Sequence, residues 1–455
     1  MLSAYCKGCG RCIASCIKGS LQLGTEINRE SGLLPIVFDP EACNGCALCF
    51  DACPEPFALL PENDEAVASG LLSALSGIPA APAVATTPSE PSSDRRIPLP
   101  AREPLVVKGT AAAAIGALLA GCRHVFGYPI TPSTEGAELM AKVQPALGGM
   151  FVQAVSEVAT VNMMYGSGGA GQRCMTFTSS PGFSLMLEGI SYMIGSEVPG
   201  VFVDIMRGGP GLGNIAPEQA DIKLACQGLG HGNTHGIVLA PATPQEMLDL
   251  TMLAFELAFR YRNPVVVLGD GYLGQITGKV ELPSFMVEPG LPDWAVFGDR
   301  SHRENLICSI DLDELDLEQR NLRLDDKYAS MTAHEQRADC YRCEDADVLL
   351  VATNTPAQLA KGAVAELRER GVRAGLFRPI TVWPFPVDLL RPLLDRSPEV
   401  VVVEASSGQL EDELRLAVSH AGLATPRLSH VRRMGGVLPS ADEIVEHVSS
   451  LEEVA

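Results

Sequence analysis

The residues with the clearest chemical signature are eight cysteines near the start of the chain. They form two runs with the same C-x2-C-x2-C-x3-C spacing: Cys6, Cys9, Cys12 and Cys16, then Cys43, Cys46, Cys49 and Cys53. A cubic iron–sulfur cluster takes four thiolates, three from a tight loop and one from further along the chain. The repeat therefore predicts two [4Fe–4S] clusters, which carry electrons one at a time. Zinc sites or a disulfide framework are the alternative, but zinc sites pair two CxxC units across a longer gap.

The two runs are expected to share their ligands. In two-cluster ferredoxins the last cysteine of each run binds the cluster of the other run. The predicted ligand sets are Cys6, Cys9, Cys12 with Cys53, and Cys43, Cys46, Cys49 with Cys16. Pro54 follows the second run as the pattern expects, whereas Ile17 stands in that place after the first.

The composition limits the class of protein and its surroundings. The formal net charge of −21 disfavours nucleic acid and anionic membranes as partners, because both attract basic surfaces. The sequence shows no signal-peptide pattern and no apolar run of the ~20 residues that span a bilayer. Fourteen cysteines in such a chain indicate a reducing compartment. A cytoplasmic location is therefore predicted, with no nucleic acid and no membrane as partner.

Changes in composition divide the chain into five predicted segments. An iron–sulfur module occupies residues 1–65, and a linker rich in Ala, Pro and Ser occupies 66–103. Residues 104–275 alternate apolar strands, beginning with LVVKG, with helices, which predicts a parallel sheet buried on both faces. Residues 276–344 are polar and poorly periodic, as expected of a connecting excursion, and 345–455 form a second α/β unit. The predicted fold class is α/β with an N-terminal two-cluster module.

Three segments of the first α/β unit carry polar groups near strand ends, where parallel sheets bind ligands. Thr131 lies in the turn GYPITPSTE, Glu157 follows the strand MFVQAV, and Arg207 opens the loop RGGPGLGN. The turn hydroxyls and Arg207 could bind a carboxylate, and Glu157 could be a buried protonated acid. Each segment also has a structural interpretation: helix capping, complementation of the helix dipole, and a glycine-rich loop without a phosphate-binding fingerprint.

Two further motifs lack the partners that would give them a function. Gly269-Asp270-Gly271 is like the start of a thiamine-diphosphate magnesium site, but the paired asparagines of such a site do not follow. Asp270 is therefore interpreted as a turn residue at a strand end. Cys340 and Cys343 form a single CxxC that is either redox-active, a metal site completed by another chain, or without a role. The isolated cysteines are interpreted as packing residues: Cys122, Cys174, Cys226 and Cys308.

Together these segments resemble one family, the 2-oxoacid:ferredoxin oxidoreductases. Residues 104–449 are similar to its α subunit, especially the 2-oxoisovalerate type, in the strings GYPITPSTE, SEVATVNMMYGSGGAG, SSPGFSLMLEGISYMIGSEVP, MRGGPGLGNIAPEQAD and GLFRPITVWPFP. The N-terminal module resembles the two-cluster δ subunit of that family, here fused to α. The resemblance implies a pyrimidine-type thiamine-diphosphate domain at 104–275 and a transketolase C-terminal-like domain at 345–455.

The resemblance also implies roles for single residues. Glu157 would hydrogen-bond the aminopyrimidine ring of thiamine diphosphate, and burial would keep it protonated. Thr131 and Arg207 would hold the carboxylate of the 2-oxoacid substrate. The missing asparagine pair implies that a separate β subunit holds the diphosphate and its Mg²⁺, so that this chain is inactive alone. A γ subunit is also implied.

The implied activity is oxidative decarboxylation of a branched-chain 2-oxoacid to an acyl-coenzyme A, with electrons passing through the clusters to ferredoxin. The same chemistry on 2-oxoglutarate, pyruvate or an aryl glyoxylate is one alternative, because sequence does not reveal pocket shape. An inactive α-like adaptor for electron transfer is another, which the presence of Glu157, Thr131 and Arg207 disfavours.

Overall fold

The computed structural model describes residues 10–26, 34–43, 49, 52, 93–396 and 399–452. Two compact units make up the chain, Met1–Ile78 and Pro79–Ala455. Within the described ranges, no helix combines the length and the apolar character needed to cross a lipid bilayer.

The first unit is built on a short helix and a β-hairpin-like pair. The helix Arg11–Ser15 is followed by strands β1 (Leu21–Leu23) and β2 (Ile36–Phe38), which pair antiparallel. Among the described residues of this unit, three buried side chains form a cluster: Cys12, Leu21 and Ile36. Two cysteines of the predicted ligand sets, Cys16 and Cys49, pack against this cluster.

The second unit contains sixteen of the described strands. In chain order they are β3 (Arg95–Pro98), β4 (Leu105–Lys108), β5 (His124–Gly127), β6 (Met150–Gln153), β7 (Cys174–Thr178), β8 (Gly200–Met206), β9 (Ile237–Leu239), β10 (Pro264–Asp270), β11 (Thr277–Val280), β12 (Phe285–Glu288), β13 (Ala338–Tyr341), β14 (Val348–Val351), β15 (Ala374–Pro379), β16 (Thr381–Trp383), β17 (Glu399–Glu404) and β18 (Arg427–Arg432). The α-helices between and after them are Gly109–Leu119, Thr134–Val143, Glu157–Gly169, Ser180–Gly195, Ile222–Gln227, Pro244–Tyr261, Gly271–Gln275, Glu314–His334, Asn354–Glu369, Val387–Leu394, Gln409–His420 and Ala441–Glu452.

A seven-stranded sheet in the order β16-β9-β10-β8-β7-β5-β6 is the centre of this unit. All its strands run parallel except β16, which is antiparallel to β9. Strands β7, β8, β9 and β10 are buried at every residue, as expected of a sheet covered on both faces. The predicted parallel α/β sheet is therefore confirmed.

The strand LVVKG is an exception to that prediction. It forms β4, which lies outside the seven-stranded sheet and pairs antiparallel with β11. Val106 in this strand is 67% exposed, so one face of the strand meets solvent. An apolar composition alone did not reveal this half-exposed position. A second such pair, β3 with β12, joins the end of the predicted linker to the predicted excursion.

The second α/β unit predicted from the sequence forms a five-stranded sheet in the order β13-β15-β14-β17-β18. Helices Asn354–Glu369 and Ala441–Glu452 pack on it around a buried cluster that includes Leu350, Leu367 and Val445. The same region also supplies β16 to the seven-stranded sheet, so the two sheets are joined by shared chain. The five predicted segment boundaries stay predictions.

Part of the predicted excursion forms a 21-residue helix, Glu314–His334. Asp313 caps its start by accepting hydrogen bonds from the backbone N–H groups of Leu315 and Asp316. Only Leu324, Tyr328 and Met331 are buried, at the i, i+4, i+7 spacing of a narrow apolar stripe. Such a narrow stripe explains why the sequence pattern did not predict this helix.

Candidate active site and iron–sulfur module

The carboxylate of Glu157 lies in an enclosed position at the start of its helix. Ser156 is the N-cap residue, and its Oγ accepts a hydrogen bond from the backbone N–H of Ala159 at 3.3 Å. Glu157 is only 4% exposed. A Cβ built at Gly182 would lie 2.6 Å from Glu157 Oε1 and 2.4 Å from Thr178 Oγ1. The carboxylate therefore packs directly against a glycine of the neighbouring helix Ser180–Gly195.

Two buried hydroxyls at the end of β7 have no hydrogen-bond partner. They belong to Thr178, the last residue of β7, and Ser179, the residue before the next helix. Both residues are 0% exposed, and a buried hydroxyl without a partner costs free energy. Thr178 Oγ1 borders the same Gly182 position as Glu157. An orphaned polar atom beside a buried carboxylate indicates a place where a polar group of a ligand would complete the hydrogen bonds.

Arg207 and Thr131 are brought together at the ends of β8 and β5. Arg207 Nη1 donates to the backbone carbonyl oxygen of Thr131 at 2.8 Å, and Nη2 donates to the carbonyl oxygen of Leu212 at 3.2 Å. Arg207 Nε is buried without a partner, while the side chain of Thr131 is exposed. The guanidinium therefore holds two loops together, and its Nε–H is one of the donors that remain uncommitted.

The polar side chains next to Thr131 and Arg207 are used in hydrogen bonds to nearby backbone groups. Ser133 is 1% exposed, and its Oγ donates to the carbonyl oxygen of Ile130 at 2.8 Å instead of capping the next helix. Asn214 Nδ2 donates to the carbonyl oxygen of Gly435 at 2.9 Å, and its Oδ1 accepts from the backbone N–H of Ala216 at 2.9 Å. The helix-capping interpretation of the turn hydroxyls is therefore wrong for Ser133.

Below the Arg207 loop lies a buried acidic pair that the sequence analysis did not identify. Asp204, within β8, is 0% exposed, and Asp221 is 5% exposed. Ser180 Oγ donates to Asp221 and accepts a 3.0 Å hydrogen bond from the backbone N–H of Arg207. Burial raises the pKa of Asp221 to about 6, and burial together with the charge of Asp221 raises the pKa of Asp204 well above its ordinary range.

Burial disfavours the charged form of both carboxyl groups, and the charge of Asp221 further disfavours ionisation of Asp204. Neither oxygen of Asp204 has a hydrogen-bond partner among the described residues, so Asp204 is the acid of this pair that we expect to keep its proton. Glu218 adds a third acid, whose Oε2 accepts from the backbone N–H of Gly209 at 3.0 Å. The signal in the sequence was a single aspartate inside the apolar strand VFVDIM.

Asp270 is fully committed to structure. Its Oδ1 accepts from the backbone N–H groups of Tyr272 and Leu273 at 3.0 and 2.9 Å, which caps the helix Gly271–Gln275. Thr355 donates to both carboxylate oxygens. Asp270 is 0% exposed and ends β10, as the interpretation of a turn residue at a strand end predicted.

Four of the eight predicted cluster ligands are described. Cys12 is buried, while Cys16, Cys43 and Cys49 are half-buried, and none of these four forms a disulfide. A hydrogen bond with Ser20, at 3.1 Å between Sγ and Oγ, lowers the pKa of Cys16. Cys6, Cys9, Cys46 and Cys53 lie outside the described residues, so the predicted pairing of ligands stays a prediction.

Family models match three parts of the chain. A model of the thiamine-diphosphate-binding domain of pyruvate flavodoxin/ferredoxin oxidoreductases matches residues 115–292. Core domain II of pyruvate:ferredoxin oxidoreductase matches residues 346–444, and a 4Fe-4S dicluster domain matches residues 5–56. Fold and site thus define a class of protein: a subunit that joins a thiamine-enzyme domain to an iron–sulfur module.

Comparison with individual relatives identifies the family. The ketoisovalerate oxidoreductase subunit VorB of Methanothermobacter thermautotrophicus is 47% identical over 345 residues, which is 75% of this chain and 96% of the relative. The 2-oxoglutarate synthase subunit KorA of Methanocaldococcus jannaschii is 34% identical, over 74% of this chain and 97% of the relative. The chain belongs to the 2-oxoacid:ferredoxin oxidoreductase family, as the resemblance predicted. Because the VorB match takes up nearly the whole relative, most of the remaining quarter of this chain has no counterpart there.

A solved structure shows the same fold. The 2-oxoglutarate:ferredoxin oxidoreductase from Magnetococcus marinus, with 2-oxoglutarate, coenzyme A and succinyl-CoA bound, superposes with a TM-score of 0.67 at 27% identity. The match covers 77% of this chain, and this chain spans 65% of that one.

The residues around Glu157 fit the pyrimidine end of thiamine diphosphate. The buried carboxylate and the orphaned Thr178 hydroxyl supply polar contacts on one side of the Gly182 position. Val155 and Val158 lie beside Glu157 in the sequence, and Leu185 lies three residues after Gly182. These apolar side chains are 88%, 46% and 53% exposed. An apolar ring edge and a few directed polar groups are what such a heterocycle needs.

Proposed function

We propose that this chain is the α-type subunit of an oxidoreductase for a branched-chain 2-oxoacid such as 2-oxoisovalerate. The observation that carries the proposal is Arg207, whose guanidinium keeps uncommitted N–H donors, that of Nε among them, beside Thr131. Lys108 contacts the side chain of Glu135 at 3.0 Å and that of Gln275 at 3.0 Å, and Gln275 reaches the Pro132 carbonyl. Lys108 is thus neutralised and not free to bind a second carboxylate. A substrate with one carboxylate suits this arrangement.

The higher identity to a ketoisovalerate oxidoreductase subunit than to a 2-oxoglutarate synthase subunit supports the same choice. Thr131 would complete the carboxylate site with its exposed side-chain hydroxyl, and Arg207 would donate from Nε. Both groups are positioned by backbone contacts, so they would meet the substrate with little loss of side-chain entropy.

Glu157 would hold or release a proton at a ring nitrogen of the aminopyrimidine. When bound, thiamine diphosphate supplies the carbanion chemistry that removes carbon dioxide from a 2-oxoacid. The role of this chain is to enclose one end of the cofactor, exclude water from Glu157 and fix the direction of its carboxylate against Gly182. The hydroxyls of Thr178 and Ser179 would gain hydrogen-bond partners in the loaded site.

The remaining half of the site would come from a β subunit that binds the diphosphate and Mg²⁺. All four hydrogen bonds of Asp270 serve the fold, which leaves no oxygen arranged for a metal ion. Exposed apolar side chains in the segments that carry Glu157 and Arg207 suit burial against such a partner: Val155, Val158, Leu185, Leu212 and Ile215. A γ subunit, coenzyme A as acyl acceptor and the cytoplasmic location stay predictions.

The N-terminal module would carry electrons onward to ferredoxin. The two predicted ligand sets, Cys6, Cys9, Cys12 with Cys53 and Cys43, Cys46, Cys49 with Cys16, would hold one [4Fe–4S] cluster each. Cys12→Ser should lower iron content and slow ferredoxin reduction more than viologen reduction, while Cys122→Ser, a buried thiol elsewhere, should change neither. Equal iron content in the two variants would exclude Cys12 as a ligand.

The substrate is tested on the complex of this chain with its β partner. Viologen reduction is measured with thiamine diphosphate, Mg²⁺ and coenzyme A, and with 2-oxoisovalerate, 2-oxoglutarate, pyruvate or phenylglyoxylate. We expect kcat/KM for 2-oxoisovalerate to exceed that for 2-oxoglutarate by at least roughly tenfold. A higher value for another acid would assign that acid instead, and no reduction with any acid would identify the chain as an electron-transfer adaptor.

A further inference from the structure

The CxxC motif at residues 340–343 forms a structured site at the edge of the five-stranded sheet. Cys340 lies on the edge strand β13 and is exposed, whereas Cys343 is only 3% exposed. Between them Arg342 has a left-handed backbone with a φ of 55°, which turns the chain back after the strand. An arginine in this conformation is uncommon, so the surrounding contacts hold the turn in place.

The turn is anchored from the interior. Cys343 Sγ donates to the carbonyl oxygen of Leu376 at 3.1 Å, and Arg368 Nη2 donates to the carbonyl oxygen of Arg342 at 2.8 Å. A Cβ built at Gly375 would lie 2.6 Å from the Arg342 carbonyl oxygen and 3.0 Å from Cys343 Cα. The backbone of the motif therefore rests on a strand residue that has no side chain.

The Cys343 side chain is the largest influence on the pKa of Cys340, which it lowers, while the Cys340 side chain and burial raise the pKa of Cys343. The carboxylates of Asp339 and Glu344 oppose the lower value at Cys340. An exposed thiol with a lowered pKa beside a buried second thiol is the arrangement of an attacking and a resolving cysteine.

We propose that Cys340 and Cys343 form a redox-active dithiol that exchanges with low-molecular-weight disulfides. The proposal is independent of the oxoacid chemistry and uses neither thiamine diphosphate nor the clusters. Its geometry consists of an exposed cysteine on the edge strand, a buried cysteine three residues further along the chain, and a turn anchored on Leu376 and Gly375.

The reaction consists of two balanced exchanges. The Cys340 thiolate attacks one sulfur of an external disulfide RSSR, whose S–S bond breaks and releases RS⁻. Cys343 then loses its proton to water and attacks the Cys340 sulfur of the mixed disulfide, releasing the second RS⁻. Two protein thiols are oxidised to one disulfide, and the external disulfide is reduced to two thiols.

Three other cysteines of the second unit are fully buried: Cys122, Cys174 and Cys226. Burial raises the pKa of each, to about 12 for Cys122. Cys308 is half-buried, but it has no second cysteine near it in the sequence to resolve a mixed disulfide. Within the described residues, no group of three or more His, Cys, Asp or Glu side chains is placed to hold a metal ion.

Trypsin provides a direct test on the full-length protein in its complex, kept anaerobic. Cleavage after Arg337 and Arg342 places Cys340 and Cys343 on different peptides, which stay joined only by a disulfide. After incubation with hydroxyethyl disulfide and alkylation, mass spectrometry should find this joined pair, and dithiothreitol should abolish it. Cys122, Cys174 and Cys226 should remain reduced. Absence of the joined pair at full recovery of both single peptides would overturn the proposal.

Two variants separate the roles of the sulfurs. Cys343→Ser should trap hydroxyethyl thiol on Cys340, because a serine hydroxyl cannot resolve the mixed disulfide. Cys340→Ser should leave Cys343 unmodified. Unchanged viologen reduction in both variants confirms the fold. Failure to trap hydroxyethyl thiol on Cys340 in Cys343→Ser would also overturn the proposal.

Discussion

Thr355 donates two hydrogen bonds to Asp270, from its backbone N–H and from its Oγ1, both at 2.8 Å. Asp270 ends β10 of the seven-stranded sheet, and Thr355 lies in the first turn of the helix that follows β14. The Asp270 carboxylate therefore caps the helix that follows its own strand, Gly271–Gln275. It also binds the start of Asn354–Glu369, a helix that packs on the five-stranded sheet. The motif Gly269-Asp270-Gly271 thus helps to hold together the two α/β parts of this unit.

Asp270→Asn should destabilise the protein, because the new NH₂ group faces N–H donors where the native side chain offered an oxygen. Leaving buried donors unsatisfied costs about 2–4 kcal/mol here. In a chain of this size the loss lowers the apparent Tm by roughly 2–5 °C, measured by differential scanning calorimetry. Asp326→Asn, at an exposed helix position, is the control and should leave the Tm unchanged. Equal melting of the two variants would contradict the assigned role.

Gly182→Ala should inactivate the enzyme without unfolding it. The added methyl group would collide with Glu157 Oε1 and Thr178 Oγ1, at 2.6 and 2.4 Å, and would displace the carboxylate. We expect turnover to fall roughly tenfold or more, since small displacements of a catalytic group are costly. The measurement is viologen reduction by the complex at saturating substrate.

Gly166→Ala is the matched control for this change. Gly166 is also in a helix, yet a Cβ there would meet nothing within 4 Å. Replacing a helical glycine by alanine gains up to about 1 kcal/mol, so this variant should keep its turnover and melt at the same or a higher temperature. Full activity in Gly182→Ala would show that the Glu157 carboxylate does not need its present position.

Glu157→Gln should abolish turnover while iron content and subunit assembly survive. The amide keeps the size of the side chain but no longer exchanges a proton, and loss of such a group costs about 10²–10⁴-fold in rate. Glu188→Gln, an exposed carboxylate on the helix Ser180–Gly195, is the control. Substrate-dependent reduction of viologen is the readout, and retained activity in Glu157→Gln would remove this residue from the mechanism.

Arg207→Lys should raise KM for the 2-oxoacid more than it lowers kcat. Lysine keeps the charge but loses the planar fork that now holds the carbonyl oxygens of Thr131 and Leu212. We expect KM to rise at least about tenfold in steady-state assays over a wide substrate range. Arg415→Lys, at a surface ion pair with Glu411, should leave KM unchanged. A pure kcat effect would indicate that Arg207 contacts something other than the substrate.

The raised pKa values of Asp204 and Asp221 predict a pH-dependent stability. A carboxyl group whose folded pKa is raised stabilises the fold below its unfolded pKa and loses that contribution as pH rises through the folded value. For Asp221 this window runs from 3.8 to about 6. The apparent Tm of the native protein should therefore fall across this range as Asp221 ionises next to Asp204, near the charges of Glu218 and Arg207.

Asp204→Asn should reduce this fall, because an amide at the same buried position carries no charge that would repel ionised Asp221. At pH 7.5 the variant should be more stable by about 1–3 kcal/mol. Thermal melts at a series of pH values compare it with native protein and with Asp326→Asn. Parallel melting curves for all three would contradict the raised pKa values of this pair.

Much of the architecture was predictable from apolar periodicity. The strands VFVDIM and PVVVLGD are continuous apolar runs, and they form β8 and β10 at the centre of the sheet. LVVKG has the same composition and yet forms β4 outside that sheet, because pairing partners are chosen by tertiary contacts. The helix Glu314–His334 was missed, since only one narrow stripe of it is buried.

For the site, single residues were identifiable but their surroundings were not. Spacing marked the cysteines, and family strings marked Glu157, Thr131 and Arg207. No local pattern could show that Gly182 faces Glu157 or that Asp204 meets Asp221, because these pairs lie on separate elements joined only in the folded sheet. The same limit applies to Cys343, whose contact with Leu376 depends on the neighbouring strand.

Strand β16 belongs by sequence to the C-terminal part but closes the edge of the seven-stranded sheet beside β9. A fragment that stopped before β14 would leave β9 as an open edge, with unpaired N–H and C=O groups ready to recruit other chains. A gene rearrangement or an engineered truncation that divided the chain between β9 and β16 would expose this edge. Residues 237–383 must therefore stay on one chain for the seven-stranded sheet to keep its edge covered.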